Sequence, residues 1–74
     1  MGRLRRLSGR DVRGILEGHG FALVRQRGSH MIMQVARPEG GTITVPVPDH
    51  RELRTGTLLG IITQSGLPRA LFEA

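Results

Sequence analysis

The sequence predicts an α+β domain in which a three-stranded antiparallel sheet carries helices on one of its faces. Three observations predict it: a helix-period segment comes first, three strand-like segments separated by short turns follow, and a second helix-period segment comes last. The resulting order is α-β-β-β-α, with a short helix at the end of the chain. The 74 residues suit one domain, predicted over residues 1–74, in which residues 1–7 form a flexible basic arm.

The first helix is predicted over residues 9–19. Ser8 is a residue type that caps helix N-termini, and Asp11, three positions later, completes a capping box in place of the more usual glutamate. Gly20 is a natural end for this helix. Between these signals, apolar residues recur at helical spacing at Val12, Ile15 and Leu16.

Three strands with alternating polarity are predicted next, over residues 21–27, 30–36 and 42–45. Gly28 and Ser29 form the short connection of the first hairpin, and the segment Arg37-Pro38-Glu39-Gly40-Gly41 forms the second turn. Pro46 and Pro48 are expected to end the third strand, because proline cannot donate to a sheet ladder.

Alternation along the second strand separates the two faces of the sheet. The more apolar set is expected to face the core beneath the helices and consists of Met31, Met33 and Val35. The opposite face stays open to solvent or to a partner, and it carries His30, Ile32 and Gln34.

The second helix is predicted to start near Thr55 or Thr57, either of which can cap it, and to end at Gly66. Its apolar face is formed by Leu58, Leu59, Ile61 and Ile62. Pro68 then suits the first turn of a short terminal helix, which carries Leu71 and Phe72.

The charge of the chain indicates an anionic partner. Eleven basic residues, all of them arginine, stand against six acidic ones and give a formal net charge of +5. Arginine binds phosphate through a planar, bidentate fork, so RNA is a suitable partner. The chain has two aromatic residues, both Phe, and therefore lacks the stacking platforms of sheet-type and barrel-type single-strand binders.

The composition also excludes several classes of site. The chain has no cysteine, which removes disulfides, zinc–thiolate sites and thiol nucleophiles and fits a cytoplasmic protein. No apolar stretch approaches the length of about 18 residues that a membrane span needs, and the arginine-rich start is not followed by the apolar run of a secretory signal. The three histidines and six carboxylates show no metal-ligand spacing, so we expect neither a metal nor a small-molecule cofactor.

Gly28-Ser29-His30 is the most informative tripeptide. Glycine in the turn lets backbone N–H groups converge on an anion, and serine adds a hydroxyl donor. His30 can give or take a proton near neutral pH, and Arg25 and Arg27 point toward the same end of the hairpin. Cleavage of RNA needs a base for the 2′-hydroxyl, an acid for the leaving 5′-oxygen and positive charge near the phosphorane. The alternative interpretation is a β-turn whose histidine happens to be exposed.

For two further features, His50 and the basic arm, the sequence allows either a binding role or a structural one. His50 follows the third strand and can serve as a second proton-transfer group, as a phosphate ligand, or as a loop histidine that steadies the turn beside Asp49. The basic arm can grip phosphates or remain a solvated tail; its arginines, with the next one along the chain, are Arg3, Arg5, Arg6 and Arg10.

In their order and separations, these features resemble the HicA toxin family, also called YcfA-like mRNA interferases. The resemblance covers about residues 9–72, and no single piece of it is specific. The matching pieces are Gly20-Phe21, Arg27-Gly28-Ser29-His30, Val45-Pro46, His50, Glu52-Leu53, Gly56-Thr57-Leu58, Ile61, Ile62 and Gly66-Leu67.

The resemblance implies a fold like that of the double-stranded-RNA-binding domain and metal-independent cleavage of messenger RNA, as the toxin component of a type II toxin–antitoxin system. It also implies a HicB-like antitoxin that covers the active surface. The family's catalytic histidine maps onto His30. Many members carry a second histidine directly after it, where this chain has Met31. The general acid therefore stays open between His50 and water. The residues expected to bind the RNA are Gly28, Ser29, Arg25, Arg27 and His50.

Two other functions fit the same fold and charge. The domain can be an RNA-binding module without chemistry of its own, or an interaction protein whose open sheet face docks an acidic partner. Incubation of the purified protein with RNA and a chelator separates these functions from the nuclease, because only a metal-independent nuclease yields products.

Overall fold

A computed structural model describes residues 2–74, and its elements follow the order that the sequence predicts. The helices are α1 (Gly9–Glu17) and α2 (Thr55–Ser65), and the strands are β1 (Ala22–Arg27), β2 (His30–Ala36) and β3 (Thr42–Pro48). A C-terminal 3₁₀-helix covers Arg69–Phe72. The α-β-β-β-α order and the short terminal helix are confirmed.

The sheet is antiparallel, with β2 at its centre and both other strands at its edges. Met33 on β2 lies opposite Leu23 on β1 and Val45 on β3, so these three side chains share one face. Both helices and the 3₁₀-helix cover that face with buried side chains, which are Val12, Leu16, Leu58, Ile61 and Phe72. The predicted α+β fold, similar to the double-stranded-RNA-binding domain, is therefore confirmed.

The core beneath the helices is small and almost entirely apolar, with Ser65 as the one buried polar residue within residues 2–74. Met33 and Val45 are both 0 % exposed and lie at its centre. Burial of one such side chain contributes about 1.5–3 kcal/mol, so a dozen of them supply most of the driving force for folding. The core cluster consists of Leu7, Val12, Leu16, Phe21, Met31, Met33, Val45, Val47, Leu53, Leu58, Ile61 and Phe72.

The capping box predicted at the start of α1 is confirmed. The Asp11 N–H donates to the Ser8 hydroxyl oxygen at 3.0 Å, and the Ser8 N–H donates to the Asp11 carboxylate at 3.0 Å. The backbone N–H of Ser8, followed by its hydroxyl, lowers the pKa of Asp11. The helix ends at Glu17, two residues earlier than predicted, and Gly18 caps it.

The third strand is longer than predicted. It continues through Pro46 and ends at Pro48, although proline was expected to end it at Val45. Proline is tolerated here because β3 is an edge strand, and the side of an edge strand that faces away from the sheet needs no donor. The added length places Pro48 opposite His30 in the ladder.

The segment that was expected to be a flexible arm packs against the domain from residue 3 onward. The Arg5 N–H donates to the Phe72 carbonyl at 2.8 Å, and Leu7 is 2 % exposed within the core. The expectation considered only the arginines of this segment, whereas its leucines gain apolar burial by lying on the domain. Met1, the first residue of the predicted arm, lies outside the described residues.

The second helix begins at Thr55 with Arg54 as its N-cap, and no side chain caps it, so the prediction of a threonine cap was wrong. Gly66 ends the helix in the left-handed conformation, with φ of 72°, as predicted. Leu59 is 39 % exposed, so the buried face of the helix is narrower than the predicted one. Within residues 2–74, neither helix has the length and apolar character of a membrane span.

Candidate functional site

The face of the sheet that points away from the helices carries rows of side chains from all three strands, and we call it the open face. The row nearest the β1–β2 turn consists of Arg27, His30 and Pro48, and the next row consists of Arg25, Ile32 and Pro46. No strand residue is an aspartate or glutamate. The two guanidinium groups therefore give the open face a net positive charge.

A β-bulge in β1 places both arginines on the open face. The pairing passes from Leu23 to Arg25 across neighbouring positions of β2, so Val24 is the extra residue. In an unbroken strand Arg25 would share the face of Leu23, which packs against the core, because strand residues alternate between faces. The bulge reverses this alternation and brings Arg25 and Arg27 to the side of His30.

His30 is the first residue of β2 and follows the two-residue turn directly. Gly28 in this turn has φ of 59°, a left-handed conformation that suits glycine. The His30 side chain is exposed. The sequence prediction that this histidine lies on the open face, at the start of a strand, agrees with its position in the row with Arg27.

Two shallow hollows meet at His30. The first has a volume of about 410 Å³, and we call it the arginine hollow; its lining residues are Arg27, His30, Ile32 and Pro46. The second has a volume of about 360 Å³ and lies between β3 and α2, and we call it the helix groove; its lining residues are His30, Pro46, Pro48, Thr57, Gly60, Ile61 and Gln64. His30 and Pro46 line both hollows and therefore lie between them.

Ile32 forms the apolar floor of the arginine hollow. It is 6 % exposed although it lies on the open face, and it does not belong to the core cluster. Its neighbours in the row are Arg25 and Pro46. Arginine stems pack readily along apolar surface, and this isoleucine offers such a surface between Arg25 and Pro46.

Arg25 and Arg27 differ from four other arginines in their electrostatic surroundings. Ion pairs hold those four, which are Arg10 with Asp49 at 3.3 Å, Arg13 with Glu17 at 3.1 Å, Arg37 with Glu39 at 2.8 Å and Arg69 with Glu73 at 2.7 Å. Among residues 2–74, neither arginine of the open face forms such a pair. Both are exposed, and both can therefore bind a phosphate through two parallel hydrogen bonds.

The segment after β3 is fixed beside the hairpin turn by its backbone. The Asp49 N–H donates to the Ser29 carbonyl at 2.6 Å, and the Gly9 N–H donates to the His50 carbonyl at 2.9 Å. A side chain at position 9 would overlap the Pro48 carbonyl, so this approach of α1 to β3 requires glycine. His50 is exposed, and it lines neither of the two hollows that His30 lines.

Sequence reasoning missed the part of α2 that lines the helix groove. Thr57, Gly60 and Gln64 lie at helical spacing on one exposed side of the helix, next to the buried Leu58 and Ile61. No clear signal was present, since other polar and small residues of the same helix, among them Thr55, Gly56 and Thr63, line neither hollow. Which of these residues line the groove depends on the packing of α2 against β3, which the sequence pattern does not specify.

A third hollow, larger than these two, lies on a different side of α2, where the two ends of the chain meet. It has a volume of about 640 Å³, and its charged lining residues are Arg3, Arg5, Arg6, Glu52 and Arg69. Among residues 2–74, no histidine lines it, so these residues offer it no group that titrates near neutral pH in its ordinary state. We therefore place the candidate active site at His30.

The described part of the chain holds no cluster of three or more His, Asp or Glu side chains that could bind a metal ion. Within residues 2–74 the carboxylates lie on α1, in the turns and loops and near the C-terminus, and none belongs to a strand. The titratable side chains carried by the strands are therefore those of Arg25, Arg27 and His30.

The fold and the site together define a small α+β domain with a histidine and unpaired arginines on an open sheet face. A family model described as the HicA toxin of bacterial toxin–antitoxin systems matches residues 9–67, well over half of the chain. The chain therefore belongs to the HicA toxin family, whose members are generally ribonuclease toxins, and membership implies an antitoxin partner. A comparison with the curated proteins gave no match, and neither did one with the solved structures.

Proposed function

We propose that this protein is a metal-independent endoribonuclease that cleaves messenger RNA, with His30 as its general acid–base group, as the toxin of a type II toxin–antitoxin system. The observation that carries the proposal is the position of His30. Its exposed ring lies in one row with the unpaired Arg27, where the arginine hollow and the helix groove meet.

The proposed reaction is transfer of the phosphate to the neighbouring 2′-hydroxyl of the RNA. His30 takes the proton of the 2′-hydroxyl, the 2′-oxygen forms a bond to phosphorus, and the bond from phosphorus to the 5′-oxygen breaks. The products are a 2′,3′-cyclic phosphate and a 5′-hydroxyl. Proton transfer by one well-placed side chain contributes about 10²- to 10⁴-fold to such a rate.

The leaving 5′-oxygen also needs a proton. Of the two candidates that the sequence left open, we propose water, because His50 lines neither of the hollows that His30 lines. The hydroxide that this water becomes then takes the proton from the His30 imidazolium, which restores both water and the neutral imidazole. His50 then serves as an outer contact to the RNA, at the end of the segment that the Ser29 carbonyl fixes beside the turn. This assignment needs no metal-bound water.

The arginines stabilise the charge that develops on the phosphorane. Arg27 lines the same hollow as His30, and Arg25 follows in the next row. Fixed donors near a developing negative charge are commonly a large contribution to catalysis. The turn residues Gly28 and Ser29 are exposed beside them and provide further contacts to the RNA backbone.

We propose that a HicB-like antitoxin inhibits the toxin by covering the open face. A protein–protein interface of standard size buries about 800 Å² on each partner. The whole accessible surface of this domain is 4862 Å². An interface of that size would therefore take up much of one face and exclude RNA from both hollows.

The test is cleavage of RNA by the purified protein in excess chelator, with mass analysis of the product ends. We expect cleavage with 2′,3′-cyclic phosphate ends, and no cleavage at a position where the 2′-hydroxyl is replaced by hydrogen. Cleavage that requires added metal, or products with a 3′-hydroxyl, would overturn the mechanism. Binding of RNA without products would instead indicate an RNA-binding module of the same fold.

A further inference from the structure

The two hollows that meet at His30 differ in chemistry. The arginine hollow has a guanidinium group at its edge, whereas His30 is the only titratable residue that lines the helix groove within residues 2–74. The remaining lining of the groove is apolar or neutral and polar. An RNA strand has the same division, since its phosphates are charged and its bases are neutral with polar edges.

The walls of the helix groove suit a flat, largely apolar group. Pro46 and Pro48 form the wall on β3. Ile61 on α2, which is 2 % exposed, lies at the bottom of the groove. The hydroxyl of Thr57 and the amide of Gln64 are exposed on the opposite wall. An amide offers both a donor and an acceptor and can therefore form two hydrogen bonds with one base edge.

Gly60, the one helical glycine that lines the groove, suits the close approach of a ligand. It lies inside α2, where glycine weakens a helix relative to alanine. Neither its backbone conformation nor its packing requires glycine, because its φ is not positive and a Cβ atom there would meet nothing within 4 Å. The absent side chain leaves the helix backbone uncovered along the groove, where a ligand can approach closely.

We propose that the helix groove binds the base of a nucleotide next to the scissile phosphate, and that Gln64 and Thr57 read its edge and set the sequence preference of cleavage. The proposal rests on the proposed nuclease function. With a volume of about 360 Å³, the groove lies at the small end of the range for ligand sites, about 300–1,000 Å³, which suits a single nucleoside. Because His30 lines both hollows, a phosphate in one and its adjoining base in the other belong to neighbouring parts of one strand.

The first test compares cleavage of a randomised RNA by wild type, Gln64→Ala and Thr63→Ala. Thr63 is exposed on the same helix but lines neither hollow, so its variant is the matched control. We expect Gln64→Ala to lose discrimination among bases at one position beside the cut by about tenfold, the effect of removing a bidentate contact. Thr63→Ala should keep the wild-type preference, and alanine at either position favours the helix.

The second test fills the groove with the variant Gly60→Leu. Leucine is a better helix former than glycine, and the space around this position is open. We expect the variant to melt at a higher temperature than wild type and yet to cleave RNA more slowly. If position 60 had only a structural role, melting temperature and cleavage rate would rise or fall together. A higher melting temperature with slower cleavage therefore indicates that the groove itself is needed.

Failure of this inference can be distinguished from failure of the nuclease. If wild type cleaves RNA, and Gln64→Ala and Gly60→Leu both keep its rate and base preference, the groove is not a base site, although the proposed function stands. If the variants keep their RNA preference but escape neutralisation by the antitoxin, the groove belongs to the antitoxin and the inference is also overturned. If wild type does not cleave, NMR titration with a short RNA decides: shifts of the Gln64 side-chain amide support a nucleotide site, and their absence overturns it.

Discussion

Alternate residues of β2 have opposite surroundings, because the strand separates a buried face from an open one. Met31 and Met33 are 1 % and 0 % exposed beneath the helices, whereas His30 and its neighbour Arg27 are exposed on the other side. The buried face supplies the packing that stabilises the fold. The open face contributes little packing, so it can carry reactive and charged groups without a comparable loss of stability.

Ile32 is an exception to this division, because it is buried although it lies on the open face. It belongs to the open face by register, yet it is 6 % exposed and forms the floor of the arginine hollow. The comparison predicts that substitutions on the buried face change the free energy of unfolding, while substitutions on the open face change binding and cleavage of RNA.

The largest effect on stability is expected for Met33→Ala. Removing a fully buried methionine side chain lowers the free energy of unfolding by about 2–5 kcal/mol, which is a large part of the total for a domain of this size. The neighbouring Gln34→Ala removes a side chain from the open face together with its hydrogen bond to the Thr44 hydroxyl at 3.0 Å, and should lower it by about 0.5–1.5 kcal/mol. Urea unfolding of both variants measures the difference, and equal losses would contradict the division between the faces.

A smaller loss is expected for Gly9→Ala, at the contact between α1 and the end of β3. The added methyl group would overlap the Pro48 carbonyl, so the backbone must move, at a cost of about 1–3 kcal/mol. Gly14→Ala is the matched control on the same helix. Its Cβ atom meets nothing within 4 Å, so it should instead stabilise the protein by about 0.5–1 kcal/mol. Thermal melting checks these opposite signs, and a loss in both variants would contradict the account.

Arg27→Ala tests the charge of the open face without affecting the core. One lost phosphate contact should reduce the slope of log affinity for single-stranded RNA against log salt concentration by about 0.7. Arg37→Ala is the control, since Arg37 lies in the β2–β3 turn and is paired with Glu39. Binding measured over a salt series, with His30→Ala present in both proteins to prevent cleavage, separates them. The same slope in both would show that Arg27 contributes no more to phosphate binding than Arg37 does, which would contradict the account.

The smallest effect concerns Asp11 in the capping box, away from both faces. Hydrogen bonding by the Ser8 N–H, and then by its hydroxyl, lowers the pKa of this carboxyl in the folded protein. Its stabilising contribution is therefore present above the unfolded-state pKa and is lost as the pH falls through the lower, folded-state pKa. The difference in unfolding free energy between wild type and Asp11→Asn should shrink as the solution is acidified. A difference that stays constant with pH would contradict this.

Local signals in the sequence were sufficient for much of the fold. Ser8 and Asp11 predicted the capping box because they interact within one turn, and the bounds of β2 followed from its alternation between Met31 and its neighbours. Gly66 ended α2 as predicted, because a left-handed residue at a helix end depends on glycine itself.

The remaining features depend on contacts that local patterns do not contain. Val24 is the extra residue of a bulge only because of how β1 pairs with β2. Pro46 continues β3 only because this strand lies at the edge of the sheet. Gln64 faces the histidine across a groove that forms when α2 packs beside β3. The candidate histidine could therefore be predicted from the sequence, and the walls around it could not.

The most direct measurement is the rate of RNA cleavage by His30→Ala in chelator, together with its melting temperature. His19→Ala is the control, because His19 is also exposed and its ring bonds to the Ile15 carbonyl on α1, off the sheet. We expect His30→Ala to melt like wild type and to cleave at least about 100-fold more slowly, while His19→Ala keeps the wild-type rate. A folded His30→Ala protein that cleaves RNA as fast as wild type would contradict the assignment of this histidine.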